Sequence, residues 1–407
     1  MPARNKKIGG VTLNFKKKIL AITTAVVGVA MMGALFTGCS SSKGNDKEIK
    51  VGANFEVTGG VANYGNQALK GIKLAIKQAN ENGGVLGKQI KLIIAYNKSE
   101  PSESANAITK LIKNDNVKLV FGSVASSNVL ATVQIAHDSK IPLITATATN
   151  PSVTMEQDQV RPYVFRTCFI DPFQGEVMAN FAAKSLQAKN AVMYIDSSSD
   201  YSKGLAKIFA EKFIANGGII IGEESFLQKD QDFKSTLTKI KAINPDVVFI
   251  PAYYEEVGKI IRQAREIGIK SQLIGTDGWD DPKLIEIAGL SAVEGTFFSN
   301  HYSPQDQDPK VVEFVKAYKA EYNQEPSALA VLGYDCALVV IDAIKRAGSD
   351  DPEKIRQALE QPMHMIRHHH PRQRQARIPQ SQIVNHPRHR TPGPEIPKPW
   401  PAVMGDG

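Results

Sequence analysis

Between residues 49 and 276 short apolar runs alternate with amphipathic stretches, and this alternation constrains the chain more than any other feature of its sequence. The runs at 49–55, 89–96, 117–121 and 141–146 read as strands, with helices at 67–80, 102–113 and 127–138 between them. In the first of those helices Leu69, Ile72, Ile76 and Ala79 share one face, and Asn82-Gly83-Gly84 ends it. A second series follows, with strands at 191–195, 219–225, 247–251 and 272–276 and helices at 202–216, 233–243 and 255–267. Strands that are apolar at nearly every position and separated by helices imply parallel sheets covered on both faces. Extended segments at 163–167 and 295–302 flank the second series and read as crossovers; helices at 309–322 and 330–347 follow. The expected fold class is therefore α/β, two doubly wound lobes, with lobe 1 built from 48–166 plus 299–361 and lobe 2 from 167–298. Ligands of open α/β sheets sit beyond the carboxyl ends of the strands, so two facing lobes make a cleft that can close by hinge motion.

Charge excludes one class of partner. The 407 residues carry a formal net charge of +8, but residues 1–39 hold six Lys/Arg and no acid, and residues 362–407 hold seven Lys/Arg and two acids. The 322 residues between them have 36 basic and 39 acidic groups. A slightly acidic body does not attract nucleic acid. Three cysteines, Cys39, Cys168 and Cys336, are too few for a disulfide framework or a cysteine-rich zinc site. The body from 40 to 361 has only His137 and His301, far apart in sequence, so no metal site and no cofactor are expected.

Lys16-Lys17-Lys18 precede an apolar run from 19 to 36 and then Thr37-Gly38-Cys39, the order of a secretory signal. The stretch resembles a bacterial lipoprotein signal, in which the cysteine is lipidated and becomes the new N-terminus. On that resemblance residues 1–38 are a signal peptide, Cys39 is the lipid anchor, and the segment through residue 47 is a flexible tether. The other reading is a plain transmembrane helix, for which 18 residues are short. An anchored protein works outside the cytoplasmic membrane, away from ATP- and NAD-dependent chemistry.

Polar residues gather just after the strand ends. Gly122-Ser123-Val124-Ala125-Ser126-Ser127 follows one strand at a helix start, and Thr147-Ala148-Thr149-Asn150 follows another. Hydroxyls with unpaired N–H groups at a helix start suit a carboxylate, although each loop alone reads equally as ordinary capping. In the second series Asp277 follows a strand in Gly275-Thr276-Asp277-Gly278-Trp279. A carboxylate there can meet an ammonium group, and Trp279 can cover an apolar side chain; the alternative is an exposed turn aspartate. Tyr201 and Tyr253 also follow strands, and Tyr64 precedes the first helix. An anion cradle facing a carboxylate across a cleft has the charge pattern of a free α-amino acid.

These segments carry a resemblance. Val61-Ala62-Asn63-Tyr64-Gly65, Ala125-Ser126-Ser127, Thr145-Ala146-Thr147-Ala148-Thr149, Asp200-Tyr201-Ser202-Lys203-Gly204, Ile261-Arg262-Gln263-Ala264-Arg265 and Gly275-Thr276-Asp277-Gly278 occur in the order found in the leucine/isoleucine/valine-binding proteins. The body from 47 to 361 resembles this family of branched-chain amino-acid ABC-transporter lipoproteins. The resemblance implies a type I periplasmic-binding fold of two Rossmann-like lobes. It also implies that Ser126 and Thr149, beside Ser127, bind the ligand carboxylate. Thr147, Thr149 and Asp277 would hold the ammonium, and Tyr64, Tyr201 and Tyr253 would line the pocket. The partners implied are a small amino acid and an ABC permease, with the chain a monomer held at the membrane by its lipid. A first-lobe disulfide of some relatives falls at Ser99 and Ala125 and is absent here.

Rival readings remain. Residues 83–89 look like a phosphate loop, but Asn82 stands where a glycine is required and Gln89 where Ser/Thr is. No GxSxG elbow is present, so an enzyme is not expected. The same fold could hold an amide, urea or another small acid, or serve as a ligand sensor. After residue 361 the composition changes: residues 362–407 hold six of eight histidines and nine of 22 prolines, and Lys outnumbers Arg 35 to 7 before this point but 1 to 6 after it. The expectation is a disordered, foreign or out-of-frame tail that replaces the closing strands of lobe 2 and leaves a sheet edge open. His368-His369-His370 in it reads as a tag or chance tract rather than a metal site.

Overall fold

A computed structural model describes residues 47–301, 308–361 and 382–385. In chain order the first sheet and its helices are β1 (Glu48–Phe55), α1 (Ala62–Glu81), β2 (Gln89–Tyr96), α2 (Pro101–Lys113), β3 (Val120–Phe121), α3 (Ser126–Leu130), α4 (Val133–Ser139), β4 (Leu143–Thr145), a small hairpin of β5 (Met155–Glu156) and β6 (Gln159–Val160), and β7 (Val164–Arg166). The second series is α5 (Asp171–Asn180), β8 (Asn190–Asp196), α6 (Asp200–Ala215), β9 (Ile219–Phe226), α7 (Lys234–Ile243), β10 (Val247–Phe249), α8 (Tyr254–Glu266), β11 (Gln272–Gly275), α9 (Pro282–Ala288) and β12 (Phe297–Asn300). After it come α10 (Pro309–Tyr322), α11 (Ala328–Ala347), α12 (Pro352–Glu360) and β13 (Gln382–Asn385).

Five parallel strands form one sheet in the order β2-β1-β3-β4-β7, and six form the other in the order β13-β12-β11-β10-β8-β9. All pairs in the second sheet are parallel except β12 with β13. The strand order reverses between β1 and β3 in one lobe and between β8 and β10 in the other. These are the points at which a doubly wound sheet opens a crevice beyond its carboxyl ends.

Several elements differ from the sequence expectation. The segments read as crossovers are the fifth parallel strand of sheet 1, β7, and a strand of sheet 2, β12; the chain passes between lobes immediately after each. The single helix expected at 127–138 is two, because the Thr132 hydroxyl donates back to Val129 O (2.6 Å) and breaks the turn. Helix α5, with its π-helical extension Phe181–Ser185, lacks a clear apolar period and went unread; so did α9 and α12. The expected open edge of sheet 2 is corrected as well. Gln382–Asn385, inside the supposedly structureless tail, pair antiparallel with Phe297–Asn300 and cover it. The rest of the tail and the signal segment with Cys39 lie outside the described residues.

Lobe 1 is completed by chain that returns after lobe 2. Helix α11 packs along α1 at a distance only glycine allows: a Cβ on Gly71 would stand 1.9 Å from Ala330 O, and one on Gly333 2.3 Å from Ala68 O. One apolar cluster runs from Ile49, Val51 and Leu69 in lobe 1 through Tyr64, Tyr201 and Tyr253 to Val248 and Trp279 in lobe 2. Cys168 and Cys336 are free thiols, Cys336 fully buried.

Candidate functional site

The residues that form the cleft stand just past strand ends or in the first turns of the helices that follow. Tyr64 lies in the first turn of α1, Ser126 opens α3, Thr147 follows β4, Tyr201 lies in the first turn of α6, Tyr253 is the N-cap of α8, and Asp277 follows β11. Helix α6 starts there because the Ser199 hydroxyl accepts from Ser202 N. Tyr64, Ser126, Thr147, Tyr201, Tyr253 and Asp277 line one cavity, joined by Val124, Gly278 and Leu329. Its volume is about 20 Å³, room for about one water.

The aromatic residues close the cavity. Tyr201 and Tyr253 stack at 5.0 Å between ring centroids, and Tyr64 presents its ring edge-on to Tyr253 (5.9 Å) and Tyr254 (4.9 Å). The Tyr64 phenol crosses between lobes, donating to Gly278 O and accepting from Tyr254 N. Burial holds the phenols of Tyr64, Tyr201 and Tyr253 well above the usual tyrosine range, so all three stay neutral donors. Tyr201 has one proton and donates it to Asp277 Oδ1 (2.6 Å); its oxygen therefore accepts from the Thr276 hydroxyl (2.6 Å) and from Gly278 N (3.0 Å). The other carboxylate oxygen of Asp277 receives His301 Nε2–H (2.9 Å).

The lobe 1 wall departs from the expected anion cradle. Val124 N (2.9 Å), Ala125 N (3.1 Å) and Asn128 Nδ2 (2.8 Å) all donate to the carboxylate of Glu56, a fully buried residue just after β1. Burial raises the Glu56 pKa against the pull of these three donors. The donors around the start of α3 are thus largely committed to an internal acid. What remains toward the cavity is the Ser126 hydroxyl, which accepts from Asn150 N (3.3 Å), and Thr147, whose hydroxyl donates to Val124 O (3.2 Å).

Three expected site residues do not line the cavity. Ser127 sits on the lobe boundary, its Oγ accepting from Asp200 N (3.1 Å). Thr149 Oγ1 is buried beside Asp171, whose carboxyl burial pushes up to about 7 and the Thr149 hydroxyl pulls back. Trp279 is corrected outright: its ring is fully buried beneath Gly275 and its Nε1–H donates to Ile250 O (2.9 Å), so it is core of lobe 2. Gly275 lacks a side chain for this reason, since a Cβ there would stand 2.0 Å from the indole.

Sequence reasoning missed Glu56, Asp171, Asp281 and His301. Asp281 caps α9 and crosses the boundary: Asn63 Nδ2 reaches both its oxygens (2.7 Å each) and Gln67 Nε2 one of them (3.1 Å). Burial pushes its carboxyl up to about 6. An acid placed four residues after Asp277 carried no signal in the pattern, although Asp281-Pro282 is a usable helix-start signature.

Two lobes built on parallel sheets that face each other across a small tyrosine-lined cavity, joined by crossovers after β7 and β12, define the type I class of two-lobed binding proteins. The chain belongs to the periplasmic binding protein family, whose model matches residues 48–388. It is 33% identical over 313 residues to a leucine-, isoleucine-, valine-, threonine- and alanine-binding protein of Pseudomonas aeruginosa, covering 76% of this chain and 82% of that one. A leucine-binding protein from Thermotoga maritima superposes with a TM-score of 0.72 at 42% identity, covering 76% of this chain and 87% of its own. A branched-chain amino-acid transporter substrate-binding protein from Streptococcus pneumoniae, solved with isoleucine, gives a TM-score of 0.72 at 37% identity, covering 77% and 88%.

Proposed function

We propose that this chain is an extracytoplasmic substrate-binding lipoprotein. It captures an α-amino acid, branched-chain or similarly apolar, between its lobes and delivers it to an ABC permease without chemistry on the ligand. The observation that carries this reading is Asp277, a single carboxylate on the lobe 2 wall of a tyrosine-lined cavity, opposite the hydroxyls of Ser126 and Thr147. An ammonium group meets the acid, a carboxylate meets the hydroxyls, and the stacked tyrosines cover an apolar side chain. The relatives named for leucine, isoleucine and valine support the ligand class.

A cavity of about 20 Å³ does not admit an amino acid, so ligand enters when the lobes part and its binding favours reclosure. Capture at micromolar concentration requires about 8 kcal/mol. On this reading Cys39 holds the protein to the membrane by its lipid; the expected lobe boundary at 298/299 falls inside β12, a strand of sheet 2, so lobe 2 runs from 167 to 300 and lobe 1 is 48–166 plus the helices that follow.

The test is a thermal-shift screen of the full chain against the twenty amino acids, urea, acetamide and benzoate, followed by calorimetry on the hits. Ligand binding raises the melting temperature by mass action. Stabilisation by leucine, isoleucine or valine is expected. A shift with benzoate or urea and none with amino acids would replace the ligand class, and consumption of the ligand would overturn the assignment as a carrier. Anchoring is tested separately: a Cys39→Ser variant is expected in the soluble fraction, and its retention in membranes would remove the lipid anchor.

A further inference from the structure

We infer that His301 is a positioning residue for Asp277: it aims the carboxylate and ties it to the crossovers between the lobes. The inference rests on the amino-acid reading of the cleft and deepens it. His301 is the first residue after β12, where the chain leaves lobe 2. Its Nε2–H donates to Asp277 Oδ2 at 2.9 Å, and a carboxylate can only accept. The pair is well shielded, with side chains 4% and 10% exposed, so the bond acts in a low local dielectric.

Two further contacts fix the ring that makes this bond. Phe169, three residues past β7 on the other crossover, stacks on the imidazole at 3.5 Å between centroids and 14° between planes. The plane is therefore set by an aromatic neighbour rather than by the pocket. The His301 main chain is held by its own N–H donating to Asn300 Oδ1 (2.8 Å). Tyr201 holds the other oxygen of Asp277. The carboxylate thus has one anchor in the cavity wall and one on the paired crossovers, and its remaining lone pairs are left to face an ammonium group. Removing the second anchor frees the carboxylate to turn about its χ2 bond while leaving its charge in place. The effect is specific to a ligand that uses that carboxylate.

The experiment compares full-length wild type, His301→Ala, His301→Gln, Asp277→Asn and the His301→Ala/Asp277→Asn double variant. Each is titrated calorimetrically with leucine and with 4-methylpentanoate, which keeps the carboxylate and side chain but carries no donor at C2. His301→Ala is expected to weaken leucine by about 10- to 100-fold, the range of one hydrogen bond to a charged group. It should leave 4-methylpentanoate nearly unchanged. His301→Gln, whose amide can donate to the same oxygen, should recover most of the loss. In the Asp277→Asn background His301→Ala should add little, because residues that act through one contact are not additive. Equal losses for both ligands, or full additivity in the double variant, would overturn the proposal in favour of a general structural role.

Nitrogen-15 NMR of the imidazoles reads the contact without ligand. A protonated, exchange-protected Nε2 on His301 that is lost in Asp277→Ala is expected, and its absence in wild type overturns the proposal. If wild type binds no leucine, the amino-acid reading fails by itself, and this spectrum still decides whether His301 holds Asp277.

Discussion

The two walls of the cleft each present an acid beyond a strand end and use it in opposite ways. Glu56 in lobe 1 accepts from Val124 N, Ala125 N and Asn128 Nδ2, so three of the roughly four lone-pair sites of a carboxylate are filled by its own lobe. Asp277 in lobe 2 accepts from Tyr201 and His301 and faces the cavity. The first acid ties β1 to the loop after β3, across the point where the strand order reverses. The second is held at its edges and left partly free. A strand end therefore supplies either a structural clip or a binding group, depending on whether neighbouring N–H groups reach the acid.

Asp277→Ala should give the largest effect on binding. It removes the acid proposed to meet the ammonium and should lower leucine affinity by more than about 100-fold, the cost of breaking a buried charge pair, with the melting temperature nearly unchanged. Unaltered affinity in calorimetry would take Asp277 out of the site. The matching change in lobe 1, Glu56→Gln, should act on the fold instead. An amide NH₂ replaces one acceptor against three donors, and stability in urea should fall by about 2–4 kcal/mol. If it weakened leucine at unchanged stability, Glu56 would be a binding group and the contrast between the walls would collapse.

That contrast also shows how far the sequence could be read. The doubly wound order follows from apolar strands alternating with helices, and the hydroxyls and tyrosines of the cavity follow from looking just past strand ends. Glu56 gave no such signal because Phe55-Glu56-Val57 looks like an ordinary strand exit. Its role depends on the N–H groups of Val124 and Ala125, which come from the loop after a strand 65 or more residues away and are adjacent only because β1 pairs with β3. His301 was missed for the same reason: its partners Phe169 and Asp277 meet it through two crossovers and a strand end. Trp279 was misplaced because an aromatic residue after a strand fits a pocket wall or a core equally well, and only the bare Cα of Gly275 against the indole decides. The tail misled because four residues of strand, Gln382–Asn385, sit in a composition that otherwise lacks apolar periodicity.

A third acid, Asp171, tests what burial without adequate partners costs. It opens α5, accepts from Gln174 Nε2 at one oxygen (3.0 Å), and has a buried second oxygen with no hydrogen bond of ordinary length. Its carboxyl is pushed up to about 7, first by burial and then by the charge of Asp277. A carboxyl raised above its unfolded value binds a proton more tightly in the native state. Its ionisation therefore costs nothing below about pH 4 and costs most above about pH 7. Asp171→Asn should leave stability unchanged at pH 4 and raise it by about 1–3 kcal/mol at pH 8. Urea denaturation at the two pH values measures this; destabilisation at pH 8 would mean that the charge is used.

The smallest effects are expected at the seam between the walls, where the contrast concerns depth rather than chemistry. Asn63 reaches both oxygens of the buried Asp281 from the opposite lobe, so Asn63→Ala removes donors from an acid that retains only Gln67 and its own capping N–H. The closed state should lose about 1 kcal/mol relative to the open one, read as leucine affinity lowered by several-fold with a faster off-rate. Lys229 also bridges the lobes, pairing with Glu100, but both side chains are largely in solvent. A pair of that kind is screened by water and salt, so Lys229→Ala should leave affinity within error at 0.15 M salt. If the lysine mattered more than the asparagine, closure would be governed by long-range charge across the cleft mouth, and the buried Asp281 contact would be only a consequence of it.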